Sequence, residues 1–362
     1  MVDRRAEGSI GKRSHTGLEH VDEMDTILIT LARKLFNCKY VEYRALSCAN
    51  ANAWVIRLLT EVGDSVLTPD IGHETYRTVG YAGFRGLKVH EFQLNEDFNV
   101  DLDIYEKMMK QIRPKAILIG HSHFLFPYPL RAMAKIAREF GARIMYDAAH
   151  VMGLIAGKQF QQPLQEGADV VTASTGKTMS APLGGLFLHN DSELDKRSDA
   201  ICDGIVSGSN SGRLASLAIV LAEHLEFGEM FYSQVVRNAQ ALARGLHEAG
   251  FTVLGKNRGF TQSHMLLVEC SELGDQRELA AKMRQANIVF TPFSLPQYGP
   301  EGMSGFRLAT MPCTAYGMKE REMQIIADFF KRVLLDREDL SKVVRDVKEL
   351  RGEFTERQFC FQ

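Results

Sequence analysis

Ala168-Asp169-Val170-Val171-Thr172-Ala173-Ser174-Thr175-Gly176-Lys177 is the stretch that decides how this chain is read. Its apolar start has the pattern of a short buried strand, and it runs out through small and hydroxyl residues into a lysine. Upstream, residues 142–146 read as a second buried strand ending in Asp147-Ala148-Ala149-His150. If the two strands lie side by side, an amine, a carboxylate and an imidazole share one edge of a sheet.

On either side of this pair, strands and helices alternate. Residues 65–68, 87–92, 116–119, 143–146 and 169–172 read as strands, and 51–61, 102–112 and 130–139 as helices. The alternation predicts an α/β fold with a mostly parallel sheet and ligands at the C-terminal ends of its strands, where His121, Asp147 and Lys177 all fall. Residues 1–20 have little apolar periodicity and read as an arm that needs a partner surface. Val21, Met24, Ile27, Leu28, Leu31 and Leu35 then mark one face of a helix, with Asn37 as its stop. A Gly/Ser-rich segment at 204–212 precedes a long helix over 214–249, closed by Gly250. Beyond it we read a strand at 264–269, a helix at 276–285, an irregular segment at 291–305 and helices after Lys319. The expected organisation is an arm (1–20), a large α/β domain (21–213), and a linking helix with a small α+β domain (214–362).

A length of 362 residues exceeds what one core usually supports, which agrees with two domains. No apolar run approaches spanning length, so no membrane segment is expected. With a formal charge of −2, no basic field recruits nucleic acid. Cys38, Cys48, Cys202, Cys270, Cys313 and Cys360 show no C-x-x-C spacing, which argues for reduced thiols. The opening residues carry Asp3, Arg4, Arg5 and Glu7 without an apolar signal region, so a cytoplasmic location is expected.

Three chemistries compete for the polar strand ends. Gly120-His121-Ser122-His123 resembles the start of a serine nucleophile elbow, but Phe124 stands where the turn needs a small residue. Pro127 and Pro129 also oppose the helix that should follow. His121, His123, Asp147 and His150 are suitable metal ligands, yet they lack a recognised ligand spacing. Pyridoxal 5′-phosphate (PLP) fits more of the residues. Its ring nitrogen needs a carboxylate, which Asp147 supplies, and its aldehyde needs a lysine for a Schiff base, which Lys177 supplies. Its phosphate needs amides and hydroxyls at a helix start, and Ser47-Cys48-Ala49-Asn50 precedes a helical stretch. Tyr76 or His73 offers a flat contact for the ring. Taken singly, such a lysine is most often a solvated surface residue and such an aspartate a helix cap. Their conjunction in consistent chain order carries the reading.

With these residues in place, Tyr146 to Gly157 resembles the aspartate segment of the serine hydroxymethyltransferase family. The run to Lys177-Thr178, with Pro182-Leu183-Gly184-Gly185, is similar to that family's lysine segment. Glu7-Gly8 with Gly11-Lys12-Arg13 resembles its N-terminal arm, and Ser304-Gly305-Phe306-Arg307-Leu308 its carboxylate-binding segment. The resemblance implies a PLP-dependent enzyme of fold type I, with a three-layer α/β/α large domain, a smaller C-terminal domain and a homodimer with shared active sites. It also implies Lys177 as the Schiff-base lysine, Asp147 as partner of the ring nitrogen, and His150, Ser174 and Thr175 beside the cofactor. Arg307 would grip the substrate α-carboxylate, and Ser122 would lie near the ring substituents. Glu7 would act as an acid–base group, and the arm and the segment around Gly208 would face the partner's site.

Departures from the family pattern redirect the expected chemistry. Tyr76 replaces the stacking histidine, Gly176 the histidine before the lysine, and Leu183 an arginine. Arg5, Ser14 and His15 stand where the arm carries tyrosines that shape the substrate and folate pockets. The expectation is therefore folate-independent aldol or transaldol chemistry at the Cα–Cβ bond of a small β-hydroxy amino acid, with Glu7, His15 or Ser122 handling the hydroxyl proton. Arg5 suggests a substrate with a second anionic group. Racemisation or transamination on the same fold is the alternative, and a binding protein that has lost catalysis a further one.

Overall fold

The computed structural model describes residues 6–70, 83, 85–96, 98–206, 208, 210–295 and 303–361, with backbone alone at 202–205 and 303. Its large sheet has seven strands: β1 (Tyr40–Glu42), β2 (Ser65–Asp70), β3 (Lys88–Gln93), β4 (Ala116–Ile119), β5 (Arg143–Asp147), β6 (Val170–Ser174) and β7 (Gly185–His189). The order is β1-β7-β6-β5-β4-β2-β3. β3, β2, β4, β5 and β6 run parallel, while β7 and then β1 add antiparallel strands at one edge. Asp147 pairs in register with Thr172, so β5 and β6 end side by side.

Side chains alternate across this sheet, as the two-residue period of a strand requires. Ile144, Tyr146, Val171 and Ala173 enter one core, and Met145 and Val170 the other. The first core is covered by α1 (Glu19–Phe36), α3 (Leu102–Ile112), α4 (Leu130–Glu139), α5 (Met152–Ala156) and the start of α8 (Ser211–Glu248). α2 (Cys48–Leu59) and α7 (Ser192–Ile205) cover the second, whereas the short α6 (Pro163–Glu166) precedes β6. The result is three layers with every central strand buried, which explains their continuous apolar runs.

A second, antiparallel sheet has the order β10-β11-β9-β8, from β8 (Thr252–Val253), β9 (Met265–Glu269), β10 (Thr291–Leu295) and β11 (Met303–Ala309). It shares a core with the far half of α8 and with α9 (Gln276–Gln285), α11 (Glu320–Leu334) and α12 (Leu340–Gly352). α10 (Met311–Ala315) follows β11. Phe98, Leu125, Phe126, Met265, Leu267, Phe293 and Leu295 form a smaller cluster joining β9 and β10 to the loop after β4.

Two parts of the sequence reading change. The segment 291–305, expected to be irregular, supplies β10 and the start of β11. Pro292 argues against a central strand, but β10 is an edge strand, where a missing N–H is tolerated. β7 and β1 were also not anticipated; β7 is an apolar run beginning inside the Gly184-Gly185 segment. Among the described residues, no helix is long and apolar enough to cross a membrane.

Candidate active site

Lys177 follows the end of β6 in a turn whose backbone is closed on itself. Thr175 N donates to Gly184 O at 3.0 Å and Ala181 N to Thr175 O at 2.9 Å. The Thr175 hydroxyl donates to Pro182 O at 2.6 Å. Lys177 Nζ lies 2.9 Å from Nε2 of His150. Burial, and then the charges of Lys177 and Arg307, hold the His150 pKa well below its usual value, so the neutral ring accepts from the amine.

Asp147 ends β5 under three donors. Asn52 Nδ2 reaches Oδ2 at 2.7 Å, while Ala149 N and Cys48 Sγ reach Oδ1 at 2.8 and 3.4 Å. Cys48 and Asn52 stand one turn apart on α2 and so share a face. Burial, followed by the Asp147 carboxylate, pushes the Cys48 thiol well above its usual pKa, keeping it a donor. Gly120, at φ +150°, lets β4 end against this carboxylate, since a Cβ there would lie 2.5 Å from Asp147 Cβ.

The first turn of α2 lies beside these groups. Ser47 caps the helix by accepting from Asn50 N at 3.1 Å, leaving the early amides of Cys48 and Ala49 at the positive end of a helix. Gly185 permits the fit: a Cβ there would lie 2.1 Å from Ser47 O. Ser174 and Thr175 are buried at the adjoining end of β6.

Arg307, on β11, crosses to the other unit. Its Nη1 donates to Ser122 O at 3.1 Å, and its guanidinium sits 5.2 Å from the Phe293 ring. His264 is buried nearby, and burial plus Arg307 lower it to about 3. A cavity of about 430 Å³ is lined by His150, Lys177, His224, His264, Arg307 and Arg357, among others.

The loop around Ser122 overturns the nucleophile-elbow geometry. No helix follows β4 directly; His121 Nε2 lies 2.6 Å from Tyr128 Oη, and α4 starts only at Leu130. His121 is thereby tied into a ring cluster with His123 and Phe124.

The arm lies along its own chain over the described part. Arg13, almost fully buried, donates to Gly8 O at 2.6 Å and pairs with Asp22 and Asp25 at 2.7 and 2.5 Å. Glu7 is half-buried, His15 is exposed, and Gly208 lies between α7 and α8. Arg5, His73 and Tyr76 lie outside the described residues. Sequence reasoning missed Asn52 and His264. The i, i+4 spacing of Cys48 and Asn52 was available as a signal for the first; nothing local marks the second.

These groups fit PLP: a carboxylate held by amide and thiol donors for the ring nitrogen, a helix start for the phosphate, and a lysine for the aldehyde. The chain matches the serine hydroxymethyltransferase family over residues 1–330. It is 41% identical to serine hydroxymethyltransferase of Thermococcus kodakarensis and 42% identical to that of Methanocaldococcus jannaschii, covering 100% of this chain and 87% of each relative. The solved L-threonine transaldolase of Pseudomonas fluorescens superposes with a TM-score of 0.89 at 23% identity, covering 100% of this chain and 83% of that one, and shows the same fold. The chain belongs to the serine hydroxymethyltransferase family and is a PLP-dependent enzyme of fold type I.

Proposed function

We propose that this enzyme makes or breaks the Cα–Cβ bond of a small β-hydroxy amino acid by aldol or transaldol chemistry without folate. The observation that supports the reading is that Asp147 ends one of two neighbouring parallel strands and Lys177 follows the other, with Arg307 in the cavity that Lys177 lines. When bound, PLP joins an amine through its aldehyde and draws electrons from Cα into its protonated ring.

This chain's residues then divide the remaining work. Asp147 would face the ring nitrogen, and the first-turn amides of Cys48 and Ala49, with Ser47, would hold the phosphate. Ser174, Thr175, His150 and Gly208 complete that pocket, with Tyr76 against the ring. Arg307 receives the substrate carboxylate through its planar fork, fixing which bond of Cα stands perpendicular to the ring. Lys177 supplies the amine, and neutral His150 steadies it. Ser122, Glu7 or His15 receives and returns the proton of the β-hydroxyl, and Arg5 suits a substrate with a second anionic group.

Folate independence is supported by Ser14 and His15 in place of tyrosines and by Leu183, 72% exposed, in place of a cation. We further propose a cytoplasmic homodimer with shared sites, each chain divided at 213/214, its arm and the segment around Gly208 turned toward the partner. The test is incubation with threonine, serine, α-methylserine and alanine, with and without tetrahydrofolate. Aldehyde release that is independent of folate is expected. Pyruvate from alanine, or the opposite enantiomer as main product, would replace this reading with transamination or racemisation. Tight binding without turnover of any of them would point to a protein that has lost catalysis.

A further inference from the structure

Behind the Lys177 turn stands a buried pair that the proposed chemistry does not use. Tyr232 and His224 lie on one face of α8, and the Tyr232 side chain is fully buried. Tyr232 Oη donates to the carbonyl of Thr178, the residue after Lys177, at 2.5 Å, and His224 Nε2 lies 2.8 Å from the same oxygen. A carbonyl only accepts, so the single phenolic proton goes to Thr178. Nε2 is thus the ring atom of His224 that packs against the phenolic oxygen and orients it. Burial lowers His224 to about 4, despite the Val220 carbonyl, so the ring is neutral near pH 7 and carries one proton.

The other side of the turn is held as well. Gly153 N donates to Thr178 Oγ1 at 3.1 Å. A Cβ on Gly153 would lie 2.3 Å from both Thr178 O and Tyr232 Oη, and one on Gly157 would lie 2.5 Å from Tyr232 Cδ2. The two glycines of the aspartate segment thus make the seat for Tyr232. Lys177 immediately precedes Thr178, and His150, which meets the lysine amine, precedes Gly153 by three residues. One clasp on α8 therefore fixes the backbone beneath both members of the Lys177–His150 pair.

We propose that Tyr232, oriented by His224, is a positioning residue for Lys177: its hydrogen bond fixes the peptide plane after the lysine and so the place of the amine. The proposal rests on Lys177 being the residue that engages the cofactor. Catalytic groups tolerate only about 0.5 Å of misplacement, and a shift of about 1 Å costs on the order of 10²-fold.

The test uses PLP-loaded full-length protein with Tyr232→Phe, His224→Leu and His224→Gln. Phenylalanine keeps the ring in its glycine seat but removes the donor. Glutamine retains a hydrogen-bonding amide beside the tyrosine oxygen, and leucine does not. The measurements are cofactor content, the pH midpoint of the bound cofactor's visible band, the rate of its bleaching by borohydride, and kcat and KM. Tyr232→Phe and His224→Leu are expected to retain cofactor, move the midpoint, slow bleaching and lower kcat about tenfold or more with little change in KM, whereas His224→Gln stays within about twofold of the parent. An unmoved midpoint and kcat in Tyr232→Phe, or a glutamine variant no better than leucine, overturns the proposal. Should Tyr232→Phe fail to fold, the His224 pair decides on the same criteria. A parent protein that binds PLP without a visible band would instead refute the role of Lys177.

Discussion

Asp147 and Lys177 depend on neighbours that hold them in place, and single substitutions separate those dependences. Lys177→Ala should lower kcat by about 10³-fold or more in steady-state assays, because it removes the amine proposed to join the cofactor. Asn52→Leu leaves Asp147 Oδ2 without its amide donor at 2.7 Å. The loss is about 1.5–3 kcal/mol, read as weaker PLP binding together with a lower urea midpoint. The buried histidines give a pH prediction. His224 and His264 titrate near 4 and 3 in the folded chain against 6.5 when exposed, so the unfolded state binds more protons below about pH 6.5. Their contribution is fully present above that value and is lost as pH falls toward the folded values, at roughly 1 kcal/mol per pH unit for each ring. Urea melts from pH 7 to 5 should show this acid limb, and His264→Gln should flatten it.

At the scale of elements, glycines set how closely the parts around the site approach. Gly185 opens β7 directly against the cap of α2, with a would-be Cβ 2.1 Å from Ser47 O. Gly185→Ala must push the first turn of α2 outward, at about 1–3 kcal/mol by the usual cost of overpacking. Because that turn carries the amides proposed to face the phosphate, the PLP dissociation constant should rise roughly tenfold or more in a titration of the apo-protein. The outcome opposing this is unchanged PLP affinity with lowered stability, which would separate the helix start from the phosphate. α8 acts on the same scale: its residues from Leu214 to Val235, Tyr232 among them, line the large-sheet core, and those from Ala241 line the small-sheet core.

For the whole molecule, the proposed shared sites predict complementation. Lys177→Ala and Glu7→Gln chains, each inactive alone, should regain about a quarter of parental activity when unfolded together and refolded, because half of randomly formed dimers are hybrids with one intact site. Activity that stays at the level of the separate variants would place Lys177 and Glu7 in the same chain's site. Arg13, bound to Asp22 and Asp25 beneath the arm, sets the geometry from which Glu7 departs in either case.

The local pattern was enough for the α/β class, for helices such as Leu102–Ile112 and Gln276–Gln285, and for the strand ends that carry Asp147 and Lys177. Periodicity and turn residues are short-range signals, and a parallel sheet converts them directly into a row of strand ends. What only the tertiary structure decided depends on contacts between distant segments. β10 exists only through its pairing with β11, and Asn52 becomes a partner of Asp147 only because α2 packs beside β5. Arg307 reaches Ser122 across 185 positions, and Tyr232 reaches Thr178 across 54. No window of sequence contains both ends of such a bond, so the strand-end residues proposed to do chemistry were legible while those that hold them in place were not.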